Sequence, residues 1–175
     1  MLTTERLLIR SWKETDLAPF AAMNADPEVR RYFPSLQTTD ESNASVRRYQ
    51  THEAEHGVTF WAVEHLGTGE FIGFVGLIVP GDDIPLPAGC LEIGWRLATA
   101  HWGKGLATEA AQACLDYAFN ELKVPSIGAI TTVNNLPSMR VMEKLGLTKR
   151  STFLHPAIDP ADPIAPHVLY LRERE

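Results

Sequence analysis

Residues 100–110 read Ala-His-Trp-Gly-Lys-Gly-Leu-Ala-Thr-Glu-Ala, at the point where a strand gives way to a helix. Gly103 and Gly105 let the backbone turn its N–H groups inward at little steric cost. The helix that follows adds the unsatisfied donors of its own first turn. Together these form a site for an anion, most naturally a phosphate; the glycines fit a tight turn that binds nothing equally well. A P-loop does not describe the stretch, because Lys104 lies between the glycines rather than after them. Nor does a dinucleotide loop: its third glycine is Thr108 here, and the stretch lies past mid-chain.

Two other places hold polar groups in ordered positions. Leu91, Ile93, Trp95 and Leu97 alternate with Glu92, Gly94 and Arg96, so Glu92 and Arg96 share one face of a strand, two pleats apart. Glu92 is therefore either a reactive carboxylate or half of an ion pair with Arg96. Downstream, Asn135 is placed to cap a helix with Pro137 in its first turn, and Ser138 falls in that same turn.

The elements that must position these groups follow from periodicity and turn residues. Strands are expected at 2–10, 59–64, 70–79, 91–97, 126–132, 148–154 and 167–172. Helices are expected from Thr15 or Asp16 to Ala22, from Asp26-Pro27, from Thr39-Asp40 to about His56, from the glycines to about Leu122, and from Asn135 to Gly146. Gly73 and Gly76 interrupt an apolar strand and imply a bend or the close approach of another element. Tyr32 and Phe33 fall in a loop, where they pack or line a pocket. The order predicts one mixed α/β domain over 1–175, with a sheet of about seven strands flanked by helices.

The totals narrow the function. A chain of 175 residues can bury a proper core. The net charge of −6 argues against broad binding to nucleic acid or anionic membrane. No apolar run approaches the roughly 20 residues of a bilayer span, and Glu5 and Arg10 interrupt the N-terminal apolar positions, unlike a signal peptide. Cys90 and Cys114 lack metal or CxxC spacing, and the histidines form no HxxxH or HExxH pair, so no metal site and a cytoplasmic setting are expected. Cys114 falls on the apolar stripe of its helix and reads as core rather than nucleophile. His155 and His167 flank a proline-rich loop where they could meet a substrate, and His101 reads as surface or packing.

From Glu92 to Leu147 the chain resembles the acetyl-CoA-binding core of the GNAT superfamily of N-acetyltransferases. HWGKGLATEA (101–110) and NNLPSMRVMEKLGL (134–147) are similar to the RimJ/RimL-type branch. TERLLIRSWKETDL (4–17) and the closing HVLY (167–170) extend the likeness to nearly the whole chain. The resemblance implies a mostly antiparallel twisted sheet, acetyl-CoA as co-substrate without a metal, and direct sequential transfer to a primary amine of a protein N-terminus or a small molecule. It implies that Gly103, Lys104, Gly105, Leu106, Ala107 and Thr108 hold the pyrophosphate, mainly through main-chain donors. Trp102 stands where the family motif has Gln or Arg. Backbone groups from Trp95 to Leu97 would pair with the pantetheine arm and supply the oxyanion donor, and Asn135 would bond the arm. Glu92 becomes the base, directly or through water. Met142 stands where many members carry an acidic tyrosine, which leaves Ser138 to protonate the departing sulfur. A homodimer is the default assembly. The alternative is a CoA-binding sensor or scaffold without catalysis.

Overall fold

The computed structural model describes residues 1–174. Its strands are β1 (Leu2–Thr3), β2 (Leu7–Arg10), β3 (Phe60–His65), β4 (Glu70–Ile78), β5 (Leu91–Leu97), β6 (Ser126–Thr132), β7 (Thr148–Leu154) and β8 (Pro166–Glu173). They form one sheet in the order β1-β2-β3-β4-β5-β6-β8-β7. Every neighbouring pair is antiparallel except β5 and β6, which run parallel. The helices are α1 (Leu17–Asn24), α2 (Thr39–His56), α3 (Leu106–Asn120) and α4 (Leu136–Lys144).

Three local expectations are corrected. The strand expected over 2–10 is two strands, β1 and β2, in a sheet of eight that agrees with the expected about seven. The Thr4 amide donates to the Leu7 carbonyl at 2.9 Å and Leu7 returns its amide to the Thr4 hydroxyl at 3.0 Å, a side-chain turn that folds β1 back onto β2. Asp26-Pro27 opens a run of turns, not a helix. The Asp26 carboxylate accepts the Glu28 amide at 2.8 Å, but only Val29 of the following residues reaches an apolar cluster, and Pro34 forbids continuation. Asp16 does not cap α1 with its side chain. It is buried and accepts two bonds from Arg10, at 2.7 and 3.0 Å, and one from the Lys13 amide at 2.8 Å, so a 3-10 turn at Glu14–Asp16 leads into the helix instead.

The sheet is covered on both faces. On one, α3 and α4 bury Leu106, Ala110, Cys114, Leu115 and Met142 against Leu7, Val75, Leu77, Ile93 and Ile127. On the other, α1 and α2 close over Trp12, Phe20, Ala62 and Phe74. Close approach at the interrupted strand is real: a Cβ on Gly76 would lie 1.9 Å from the Thr59 carbonyl oxygen. Farther along that second face, Leu86 of the 79–90 loop packs with Cys90, Ile130, Phe153, Leu169 and Leu171.

The break in the antiparallel pattern makes the opening that matters. β5 and β6 pair only through Leu91 with Ile127 and Glu92 with Gly128. From Ile93 onward β5 keeps β4 on one side and, among the described residues, has no strand on the other. The C-terminal end of β5 leads to the glycine loop, and that of β6 leads to Asn135 and α4.

Candidate functional site

The glycine loop presents bare main-chain donors. Gly103 and Gly105 have φ of 72° and 77°, the left-handed region where glycine is at ease. The first amide after the loop to make a helical bond is that of Glu109, to the Gly105 carbonyl at 3.0 Å. Among the described residues, the amides of Gly103, Lys104, Gly105, Leu106, Ala107 and Thr108 donate to no protein acceptor. Six consecutive free N–H groups at the positive end of a 15-residue helix form a cradle able to take an anion. Lys104 points its ammonium at the Ala100 carbonyl, 2.8 Å away, on an exposed surface. Thr108 is not the helix cap, a position taken by Gly105.

A carboxylate in the first turn of α3 fixes this loop, and sequence reasoning did not single it out. Glu109 accepts from the Thr4 hydroxyl at 2.6 Å, the Arg6 amide at 3.0 Å and the Arg6 Nε at 2.7 Å. Arg6 in turn donates from Nη1 to the Lys104 carbonyl at 3.1 Å. The turn between β1 and β2 is thereby tied to the cradle. Burial pushes the Glu109 carboxyl up, but the bonds from Thr4 and Arg6 and the Arg6 charge together hold it below its ordinary value. Its stabilisation is therefore present above the ordinary carboxylate range and lost as pH falls through the lowered folded value. Glu109→Gln is expected to cost about 1–3 kcal/mol in chemical unfolding at neutral pH. The deficit should shrink as the pH is taken into the acid range; a deficit independent of pH would contradict the role of its charge.

Along the open side of β5 the backbone alternates. The Ala98 amide donates to the Ile72 carbonyl of β4 at 2.9 Å, so the amides of Trp95 and Leu97 turn away from β4, toward the opening. The Trp102 indole donates to the Leu97 carbonyl at 2.7 Å and so occupies an acceptor that a neighbouring strand would otherwise use. Trp102 is still 44% exposed, beside the cradle.

Glu92 stands at the point where β5 and β6 part, on the face away from α3. The ion pair with Arg96 does not form: among the described residues Glu92 has no ion pair and no side-chain hydrogen bond. Arg96 instead donates to Asn24 at 2.9 Å. Burial without a compensating partner raises the Glu92 carboxyl to about 7, which suits a group that must take up a proton near neutral pH.

Across the opening, Asn135 caps α4 as expected. Its Oδ1 accepts the Ser138 amide at 3.2 Å, and its Nδ2 donates to the Thr131 hydroxyl at 2.9 Å, fixing the helix start to the end of β6. The Ser138 hydroxyl has no protein partner among the described residues and is half-buried. Met142, one turn on and on the same helix face, is buried in the core. Cys114 is also fully buried, where burial pushes its thiol well up. His155 and His167 are brought together with ring centroids 4.8 Å apart beside Phe153. Burial lowers both imidazoles, leaving them neutral at pH 7. His101 is half-buried near His65.

Known proteins resemble this chain in sequence and in fold. The family model described as Acetyltransferase (GNAT) domain matches residues 6–148. The Bacillus subtilis protein YkkB is 36% identical over 147 residues, 83% of this chain and 84% of its own. The N-acetyltransferase p20 of Bacillus licheniformis is 32% identical over 150 residues, 85% of this chain and 82% of its own. Among solved structures, a GNAT-family acetyltransferase from Bacillus anthracis superimposes with a TM-score of 0.83 at 26% identity, covering 98% of this chain and 97% of that one.

Proposed function

This chain belongs to the GNAT acetyltransferase family and is an N-acetyltransferase; we propose that it is a RimJ/RimL-like member that uses acetyl-CoA and acetylates a primary amine by direct, sequential transfer. The observation that carries the reading is the run of six free amides from Gly103 to Thr108 at one end of an opening, with an unpaired carboxylate, Glu92, on β5 at its inner end. The cradle fits a pyrophosphate: Gly103, Lys104 and Gly105 are exposed, and the space over Gly103 is clear.

Acetyl-CoA supplies the acetyl group in activated, thioester form. The amides of Gly103 to Thr108 hold its diphosphate, and Lys104 adds positive charge nearby. The amides of Trp95 and Leu97 pair with the pantetheine arm and stabilise charge developing on the acetyl oxygen. Asn135 fixes the start of α4 through Ser138 and Thr131, and its second Nδ2 hydrogen and second Oδ1 lone pair serve the pantetheine arm. Glu92, ionised above about pH 7, takes the amine proton directly or through a water. Ser138 donates its free hydroxyl to the leaving sulfur, since Met142 has no proton to give. Among the described residues no helix is long and apolar enough to cross a membrane, and two buried free thiols suit a reducing cytoplasm.

Incubating the protein with acetyl-CoA and a panel of polyamines, amino-acid amides and short peptides, with thiol release recorded, is expected to show amine-dependent release of CoA. Tight CoA binding with no release on any amine would overturn the catalytic reading in favour of a sensor or scaffold.

A further inference from the structure

Arg96 and Arg30 are two largely buried guanidiniums without a carboxylate. Neither has an acidic oxygen within 4.0 Å among the described residues. Arg96 is held by one end only, through Nη1 to Asn24. Its Nε is fully buried and has no hydrogen-bond partner. The Phe33 ring lies over both cations, 4.1 Å from the Arg96 Cζ and 4.8 Å from the Arg30 Cζ. Arg30 donates to the Ser35 carbonyl, which carries no net charge. The acid that acts on Arg30, Glu41, does so from beyond ion-pair distance, its carboxylate being tied to the Thr38 amide and hydroxyl. Burial lowers Arg96 to about 10, so it is still a cation at neutral pH, in a place that penalises its charge.

A buried cation without a counter-charge is costly unless something supplies one. The buried Nε is sealed off, so the open donor of Arg96 is Nη2, which has no protein partner among the described residues and can meet a carboxylate oxygen. Arg96 stands on the same strand face as Glu92, with Gly94 between. There the Phe60 ring fills the notch, since a Cβ on Gly94 would lie 2.9 Å from its edge. One face of β5 thus offers a carboxylate, an aromatic floor and a cation in sequence. Four steps along the extended strand put its ends about 13 Å apart.

We infer that the acceptor amine carries an anionic group, a carboxylate several bonds from the nitrogen, which Arg96 binds through Nη2 with Arg30 and Phe33 beside it. This rests on the acetyltransferase reading and narrows it: the substrate class is an acidic peptide or a long amino acid, not a polyamine. The overall acidity of the chain gives no hint of this, because the local field at Arg96 and Arg30 is positive.

The test uses one peptide in two forms, Ala-Ala-Ala with a free C-terminal carboxylate and the same peptide amidated. Extended, it places its carboxylate about 10 Å from its amine. Binding to the CoA-loaded protein is measured by calorimetry, and turnover by thiol release. The free acid is expected to bind about 10- to 100-fold more tightly than the amide. Arg96→Met should bring the ratio close to one, and Arg96→Lys, which keeps the charge but not the Nη2 position, should give an intermediate ratio. Wild-type binding needs no variant to fold, so equal affinity for acid and amide, or binding of neither, overturns the site outright. So does a preference that survives Arg96→Met. If the acid is preferred in binding, and Arg96→Met abolishes the preference, the site stands even where neither peptide is acetylated, and the acetyl-transfer reading fails instead. Acetylation of the amide as fast as the acid leaves the enzyme reading intact and removes the site.

Discussion

Glu92→Gln is expected to lower kcat at saturating acetyl-CoA by about 100-fold or more, the range that a positioned base supplies. The wild-type rate should rise with pH through about 7, as burial delays ionisation of this carboxylate, and the variant should lose that rise. Stability should move the other way. The folded-state value of Glu92 lies above the unfolded one, so its contribution is fully favourable below the unfolded carboxylate range and is lost as pH climbs through about 7. Above that pH the fold carries an ionised side chain with neither ion pair nor hydrogen bond. Glutamine removes the charge at nearly the same volume. The variant is therefore expected to be more stable than wild type at pH 8, on the order of 3 kcal/mol, and almost equal to it at pH 4. A rate that falls while stability rises is the pattern of a group held at a cost for its chemistry. Unchanged kcat in Glu92→Gln, or an unchanged pH profile, removes Glu92 from the reaction.

Gly105→Val is expected to weaken CoA binding by about 10- to 100-fold, corresponding to the roughly 1–3 kcal/mol of holding a side chain in this backbone region. At φ of 77° a β-branched residue is strained, and relief of that strain swings the amides of Leu106 to Thr108 out of convergence. Crowding does not explain the effect, because the nearest atom to a Cβ at Gly105 is the Arg6 Nη2 at 3.7 Å. Gly57 supplies the control. It ends α2 at φ of 73° with nothing within 4 Å of its would-be Cβ, so Gly57→Val carries like strain away from the cradle. The pair separates general destabilisation from loss of the site: calorimetric titration with CoA should find weakened binding in the first variant and wild-type binding in the second. Undiminished binding in a folded Gly105→Val would contradict the phosphate-cradle assignment.

Much of this protein was legible along the chain, wherever the physics is local. The alternation of Leu91 to Leu97 fixed which side chains share a face, and β5 has those bounds. Asn135 before Pro137 announced a capped helix, and its Oδ1 holds the Ser138 amide. The glycines at 103 and 105 announced a tight turn before a helix, and both sit there in the left-handed region. Each of these rests on a backbone preference or a hydrogen bond spanning a few residues, so the order of residue types is enough to state it.

Local chemistry also misled where a longer contact outbid it. Asp16 has the composition of a helix cap, but a buried Arg10 offers it two charge-assisted bonds. Leu2 to Arg10 has the composition of one strand, but Glu109 and the Thr4 turn divide it. Periodicity put Glu92 and Arg96 on one face and so allowed an ion pair; only the packed protein decides between partners, and Arg96 went to Asn24, 72 positions away. That choice left one carboxylate and one guanidinium each without a counter-charge, the two features on which the proposed chemistry and acceptor class depend. The parting of β5 from β6 after two paired residues is of the same kind. The sequence by itself determined the elements and the donors at their ends, because those follow from neighbours along the chain. Which charges are satisfied, and where two strands separate to admit a substrate, is decided by burial and by contacts between residues far apart in the chain, and those exist only in the tertiary structure.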